Sequence, residues 1–229
     1  MTITELPSIF QKEDFTKEGL YLLFPDGQKV KIVRDEIEAL SEEFWQDPKK
    51  IHPNIKEMPE FQPCGHCPHH GEDILCLALR PILPYLKNVD RYMSYQEVTA
   101  VFSAGDASNV KVSKTTTQQA LKYVAILSLI YYCEMGNRYC GFLKDISPLT
   151  PPKEMADHLL SNIKEIYGED KAKINEEIAK FQKEVLESAQ CLTKRLRLIC
   201  ENDAFLNAFV NAQTALDFLL LKNRKQSAG

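Results

Sequence analysis

The run Cys64-Gly65-His66-Cys67-Pro68-His69-His70, followed by Cys76, constrains this chain more than any other feature. It gathers three cysteines and three histidines, in a chain that holds seven cysteines and five histidines in all. Crowded soft, ionisable side chains are how a short loop holds a metal ion. The C-x2-C spacing lets two thiolates grip one tetrahedral ion from a tight turn, with Gly65 letting the backbone curl between them. Cys76 falls at the start of a helical pattern, where the dipole favours a thiolate. A closed site needs a fourth ligand. The residues leave it open between His66, His69, His70 and a distant thiol, Cys133 or Cys140. Zn2+ accepts four thiolates, or three and an imidazole, and an iron–sulfur cluster also takes thiolates.

Two readings compete with a metal: a thiol redox pair, and three unrelated cysteines in a buried turn with surface histidines. C-x2-C also marks thiol redox pairs, but those sit at the strand–helix turn of a βαβ unit, and no such unit is visible. Met1–Glu5 has neither the basic nor the apolar region of a signal peptide. The longest mostly apolar run, Tyr123 to Cys133, is too short to span a bilayer. The expectation is a cytoplasmic protein without a membrane, where clustered cysteines are ligands or redox groups rather than disulfides. Cys191 and Cys200 read as small core residues.

Other chemistry finds little support. There is no G-x-S-x-G, P-loop, dinucleotide fingerprint or H-E-x-x-H. The net charge of −4 argues against a nucleic-acid binder. Lys194, Arg195 and Arg197, and the tail group Lys222, Arg224 and Lys225, read as solvated helix ends. Glu36, Glu38, Glu42, Glu43 and the pair Glu176-Glu177 read as solvated acidic faces. His158 reads as a boundary residue, His52 has no visible partner in its loop, and Trp45 reads as a core or lid residue.

The organisation reads as α+β. Residues 1–18 form a loose arm. Residues 20–24 and 29–33 form a β-hairpin around Pro25-Asp26-Gly27-Gln28. Residues 34–45 suit a short helix, and Asp47 to Pro63 a long connection. Ile74 to Val89 has a helical pattern that Pro81 and Pro84 break. Residues 94–102 and 109–113 form a second hairpin. From Thr117 a helix apolar on nearly all sides crosses the core to a C-cap at Gly136-Asn137. After Ser147–Pro152 a helix runs to Tyr167. A long helix from Asp170 carries a seam, Ile174, Ile178, Phe181, Val185, Ala189, Leu192, Leu196 and Ile199. Phe205 to Leu221 folds back on it as an antiparallel helical hairpin. Two hairpins and the cysteine knot thus pack on a buried helix in residues 1–149, and residues 150–229 form a helical region. The seam and the broadly apolar last helix predict docking of a protein partner, or a homodimer, through residues 170–221.

The stretches Phe61–Pro68, Cys76-Leu77-Ala78 and Ser94–Val98 resemble an uncharacterised family of bacterial proteins. That family has an N-terminal hairpin with a D-G turn, a C-x2-C-P…C-x2-A segment, an S-x-E-x-V strand, and a helix with an early glutamine, here Gln118 or Gln119. A Cys-Pro follows. Ala78 falls one place early, Glu97 one place late, and Gly141 stands where the family has Pro. The resemblance covers roughly residues 20–150 and implies a four-cysteine site. With the core-crossing helix, whose end brings Cys140 towards the knot, it favours Cys64, Cys67, Cys76 and Cys140 as ligands, with His66 the alternative fourth. The resulting expectation is a Zn2+ protein, or an iron–sulfur protein, with a structural or sensory site and a partner-binding helical region. It is not primarily an enzyme. The rivals are a thiol-redox or metal-dependent enzyme using Cys64 and Cys67, and a non-catalytic subunit of a larger complex.

Overall fold

A computed structural model describes residues 6–46, 55, 61–72 and 74–227, without the side chains of Trp45 and residues 225–227. Residues 1–5 of the arm, most of the connection at 47–60 with His52, and any role of the Trp45 side chain lie outside the described residues.

The two expected hairpins join into one antiparallel sheet. Its strands are β1 (Glu18–Leu23), β2 (Lys29–Val33), β3 (Glu97–Ala104) and β4 (Val110–Thr116), in the order β2-β1-β3-β4. Tyr21 pairs with Lys31 on one side and Val101 on the other. The first turn closes as its sequence dictates: Gly27 N–H donates to the Phe24 carbonyl, and Gly27 takes φ 84°. Alternation along the strands gives two buried faces. Leu20, Leu22, Ile32, Ala100 and Phe102 join the main core. Tyr21, Val33 and Val101 are covered on the other side by Phe10 and Phe15. The part of the arm from residue 6 onward is therefore a lid on the sheet rather than a loose end.

The helices are α1 (Ile37–Gln46), α2 (Leu86–Val89), α3 (Thr117–Ile126), α4 (Glu134–Asn137), α5 (Pro152–Tyr167), α6 (Lys171–Leu196) and α7 (Ala204–Ser227). Pro81 and Pro84 break the 74–89 pattern, leaving 3-10 turns at Leu77–Leu79 and Leu83–Tyr85 before α2. The core helix differs more from expectation. After α3 it widens into a π-helical stretch, Leu127–Tyr132, and then breaks at Cys133, whose backbone is extended. Gly136 is consequently not a C-cap. It lies in α4 with its backbone pressed on the Leu129 carbonyl, where a Cβ would sit 1.8 Å from that oxygen.

α6 and α7 form the expected antiparallel hairpin. Asn223 donates to Asn175 at 2.6 Å, and Gln182 to Asp217 at 3.2 Å. Every seam residue from Ile174 to Ile199 is buried. α7 is long and apolar enough to cross a membrane by length and composition. Its stripe of Phe205, Ala208, Phe209, Ala215, Leu216 and Leu219 is buried, and it packs on α3, α5 and α6. Val210 and Leu221 are exposed on it. One apolar core runs without a break across the boundary expected after residue 149.

Candidate functional site: a thiol cluster on helix α6

The cysteine loop is a chain of tight turns. Cys67 N–H donates to the Cys64 carbonyl at 2.8 Å, His70 N–H to Cys67 at 3.0 Å, and Glu72 N–H to His69 at 3.1 Å. Gly71, at φ 87°, supplies the left-handed residue. Gly65 is not in that region, so the turn between the two thiols does not rely on its freedom. The loop closes where Cys76 N–H donates to the Phe61 carbonyl at 2.8 Å, and buried Phe61 and Leu75 anchor its two ends in the core.

This closure places Cys64, Cys67 and Cys76 in one neighbourhood. Each thiol is partly buried. Burial raises the Cys67 thiol above its ordinary value, and the charges of Cys64, Cys133 and Glu134 raise it further, whereas a His69 N–H donated to its sulfur lowers it. Burial pushes the Cys76 thiol up to about 11. Two donors oppose that: the Arg195 guanidinium, with Nη1 3.2 Å from the sulfur, and the N–H of Ala78. The same Cys76 thiol feels Cys133 and Cys64. Cys76 precedes a 3-10 turn of three residues, so the helix dipole expected to favour its thiolate is not there, and burial outweighs the two donors.

The thiol delivered from the core helix is Cys133. The break after the π-helical stretch aims it at the loop and at α6, where its S–H donates to Ser188 Oγ at 3.4 Å. Cys140 is placed elsewhere. Its thiol donates to the Ile130 carbonyl at 3.5 Å, and the charge that acts on it is Arg34. Charge interactions thus link Cys67 and Cys76 to Cys64 and Cys133, whereas those acting on Cys140 include none of the loop thiols. The reason is the π-helical stretch and the break, which end the helix before Cys140 and turn the chain.

The histidines face outward. His66 is exposed, in a cleft shared with Cys64 and Cys191. His69 Nδ1 lies 3.1 Å from Glu72 and its Nε2 3.7 Å from Glu134, and the Glu72 contact raises its pKa. His70 Nδ1 lies 3.4 Å from the Pro63 carbonyl.

One face of α6 completes the cluster. Ser188, Cys191 and Arg195 recur at helical spacing against the loop. Cys191 hydrogen-bonds Cys64, and its pKa is raised, first by burial and then by the Cys64 charge. Arg195 is buried, and besides Cys76 it donates through Nη2 to the Gln62 carbonyl at 2.6 Å. The solvated reading of this basic group thus holds for exposed Lys194 and Arg197 and fails for Arg195. The polar interruption beside Ala189 and Leu192 was the signal that could have found it.

Among the described residues, no group of three or more His, Cys, Asp or Glu side chains is placed so that it could hold a metal ion. A cleft of about 480 Å³ is lined by Arg34, Asp35, Glu38, Arg80, Tyr132 and Glu134. Its charges are of both signs and select no single ligand charge. No protein-family model, curated protein or solved structure matches the chain.

Proposed function

We propose that this chain is a metal-binding protein that holds Zn2+, or an iron–sulfur cluster, on the thiolates of Cys64, Cys67, Cys76 and Cys133. The observation that carries the reading is the set of donors aimed at buried sulfurs: His69 N–H at Cys67, and Ala78 N–H with the Arg195 guanidinium at Cys76. Burial outweighs these donors and keeps both thiols protonated in the metal-free protein, so the donors would serve thiolates that a bound ion itself deprotonates. The donor set suits Zn2+ or Fe–S chemistry, both of which take four thiolates. Metal binding would require the four sulfurs to converge from their present placement, and it would release their thiol protons.

The site links three parts of the fold: the loop, the break after the core helix, and α6 through Ser188 and Arg195. Four ligands from such separate segments make a structural staple, or a sensor whose loss loosens the packing. A site closed by four thiolates would have no open position for a substrate, which favours a structural or sensory role over a catalytic one.

The test is the metal content of protein purified with and without oxygen, measured by elemental analysis together with the visible spectrum, for the native chain and for C133S and C140S. Near-stoichiometric metal that C133S loses and C140S retains is the expected result. Metal-free native protein, or loss only in C140S, overturns the assignment.

A further inference from the structure

A four-thiolate site on Cys64, Cys67, Cys76 and Cys133 leaves Cys140, Cys191 and Cys200 over, and of these Cys191 lines a cleft with Cys64. Cys191 lies on α6 between Ser188, which contacts Cys133, and Arg195, which contacts Cys76. It shares a surface cleft with Cys64, His66, Met135, Glu184 and Glu187, and it hydrogen-bonds Cys64. Neither Cys64 nor Cys191 is fully buried, so a small solute reaches both from this cleft. Cys64 thus stands between two alternative partners, a metal and a second sulfur.

We propose that Cys64 and Cys191 are an oxidisable pair, and that a hydroperoxide closes a disulfide between them. If Cys64 is a metal ligand, as the functional reading above holds, this removes one of four ligands and releases the metal. The chemistry balances with the peroxide as sole oxidant. The Cys64 thiolate attacks a peroxide oxygen, the O–O bond breaks, and hydroxide leaves and becomes water on taking a proton. Cys64 is then a sulfenic acid. The Cys191 sulfur attacks the Cys64 sulfur, the S–O bond breaks, and the departing hydroxide leaves as a second water with the Cys191 proton. The two sulfurs have given up two electrons, and the peroxide has taken them. A dithiol reverses the step by exchange.

Cys191 is suited to the resolving role, and Cys67 less so. Cys67 is held in the turn by the bond from its own N–H to the Cys64 carbonyl, with its sulfur engaged by His69 N–H. Cys191 comes from α6, and its bond to Cys64 ties the loop to that helix. The disulfide would keep this attachment while the metal is absent.

The experiment uses the full chain and hydrogen peroxide. Metal-free protein is oxidised, free thiols are blocked, and the digest is read by mass spectrometry. A Cys64–Cys191 linked peptide is expected in the native chain and in C140S, and its loss in C191S. In parallel, Zn2+-loaded protein is oxidised in the presence of a chromophoric chelator. Fast release from the native chain and slow release from C191S are expected. A dominant Cys64–Cys67 linkage, or release from C191S at the native rate, overturns the pair. If the native chain binds no metal, the metal reading fails, and the linkage assay still decides the pair by itself. Far-ultraviolet circular dichroism checks that C191S is folded.

Discussion

Arg195 joins Cys76 to the backbone of its own loop: Nη1 donates to the Cys76 sulfur at 3.2 Å, and Nη2 to the Gln62 carbonyl at 2.6 Å. A buried guanidinium that spans both ends of the 61–76 loop fixes where the Cys76 sulfur sits, and brings positive charge to it. Arg195→Gln keeps much of the side-chain volume and removes that charge. Metal affinity should fall about 10- to 100-fold, the usual effect of losing an outer-shell partner. Competition against a chelator of known affinity measures it. An affinity unchanged in a folded variant would separate Arg195 from the site.

Gly136 controls the delivery of Cys133. Its backbone approaches the Leu129 carbonyl so closely that a Cβ would lie 1.8 Å from the oxygen. Both atoms belong to backbone, in the π-helical stretch and in the turn after it, so neither can swing aside. Gly136→Ala should destabilise the fold by more than about 3 kcal/mol, as overpacking against immovable atoms does. Gly65→Ala is the control, since a Cβ there meets nothing within 4 Å. Thermal melts of the two variants should differ widely, and similar melting temperatures would refute the packing argument.

These two residues also mark what the sequence could and could not disclose. The hairpin at Pro25–Gln28, the seam from Ile174 to Ile199 and the broken 74–89 segment rest on local rules, so they were legible. Turn chemistry, helical periodicity and proline act over a few residues. The loop cysteines were legible for the same reason. Cys133 was only one of several candidate fourth ligands, and the burial of Arg195 was not legible, because each takes its place through a long-range approach. Cys133 depends on a π-helical stretch, in an apolar run whose pattern is the same in an ordinary helix. Arg195 sits among basic neighbours that really are solvated, and only the loop packed on α6 distinguishes it. The arm was misread because Phe10 and Phe15 bury against Tyr21, a partner that only the sheet's second face presents.

The chain should unfold in one transition. Ser94, just before β3, donates through its N–H and its hydroxyl to Asp203 before α7, both at 2.8 Å. Asp90 accepts the N–H groups of Glu201 and Asn202. These carboxylate contacts, from buried Asp90 and half-buried Asp203, tie the first 149 residues to the last helix across a shared core. Near- and far-ultraviolet circular dichroism should give coincident urea transitions. The fragment 1–149 should not fold alone, since α3 would lose α7. Two separated transitions, or a folded fragment, would mean two independent units.

Lys122 gives the fold a pH dependence that can be isolated. It is fully buried on α3, and its ammonium donates to the Thr150 carbonyl, which Gln119 Nε2 also approaches at 3.4 Å. Burial lowers its pKa from 10.5 to about 8. In the unfolded chain the amine stays protonated to about pH 10.4, so between pH 8 and that value the unfolded state binds more protons. Stability from this group therefore rises with pH across that window and is flat below it, where both states are charged. Lys122→Met removes the buried charge and keeps an unbranched apolar chain. It should stabilise the protein at pH 7 by on the order of 2 kcal/mol, after allowing for the donor lost to Thr150. The gain should shrink towards zero by pH 10. Urea midpoints of both proteins at pH 7, 8.5 and 10 measure this. A difference independent of pH would show that the ammonium is already compensated in the fold.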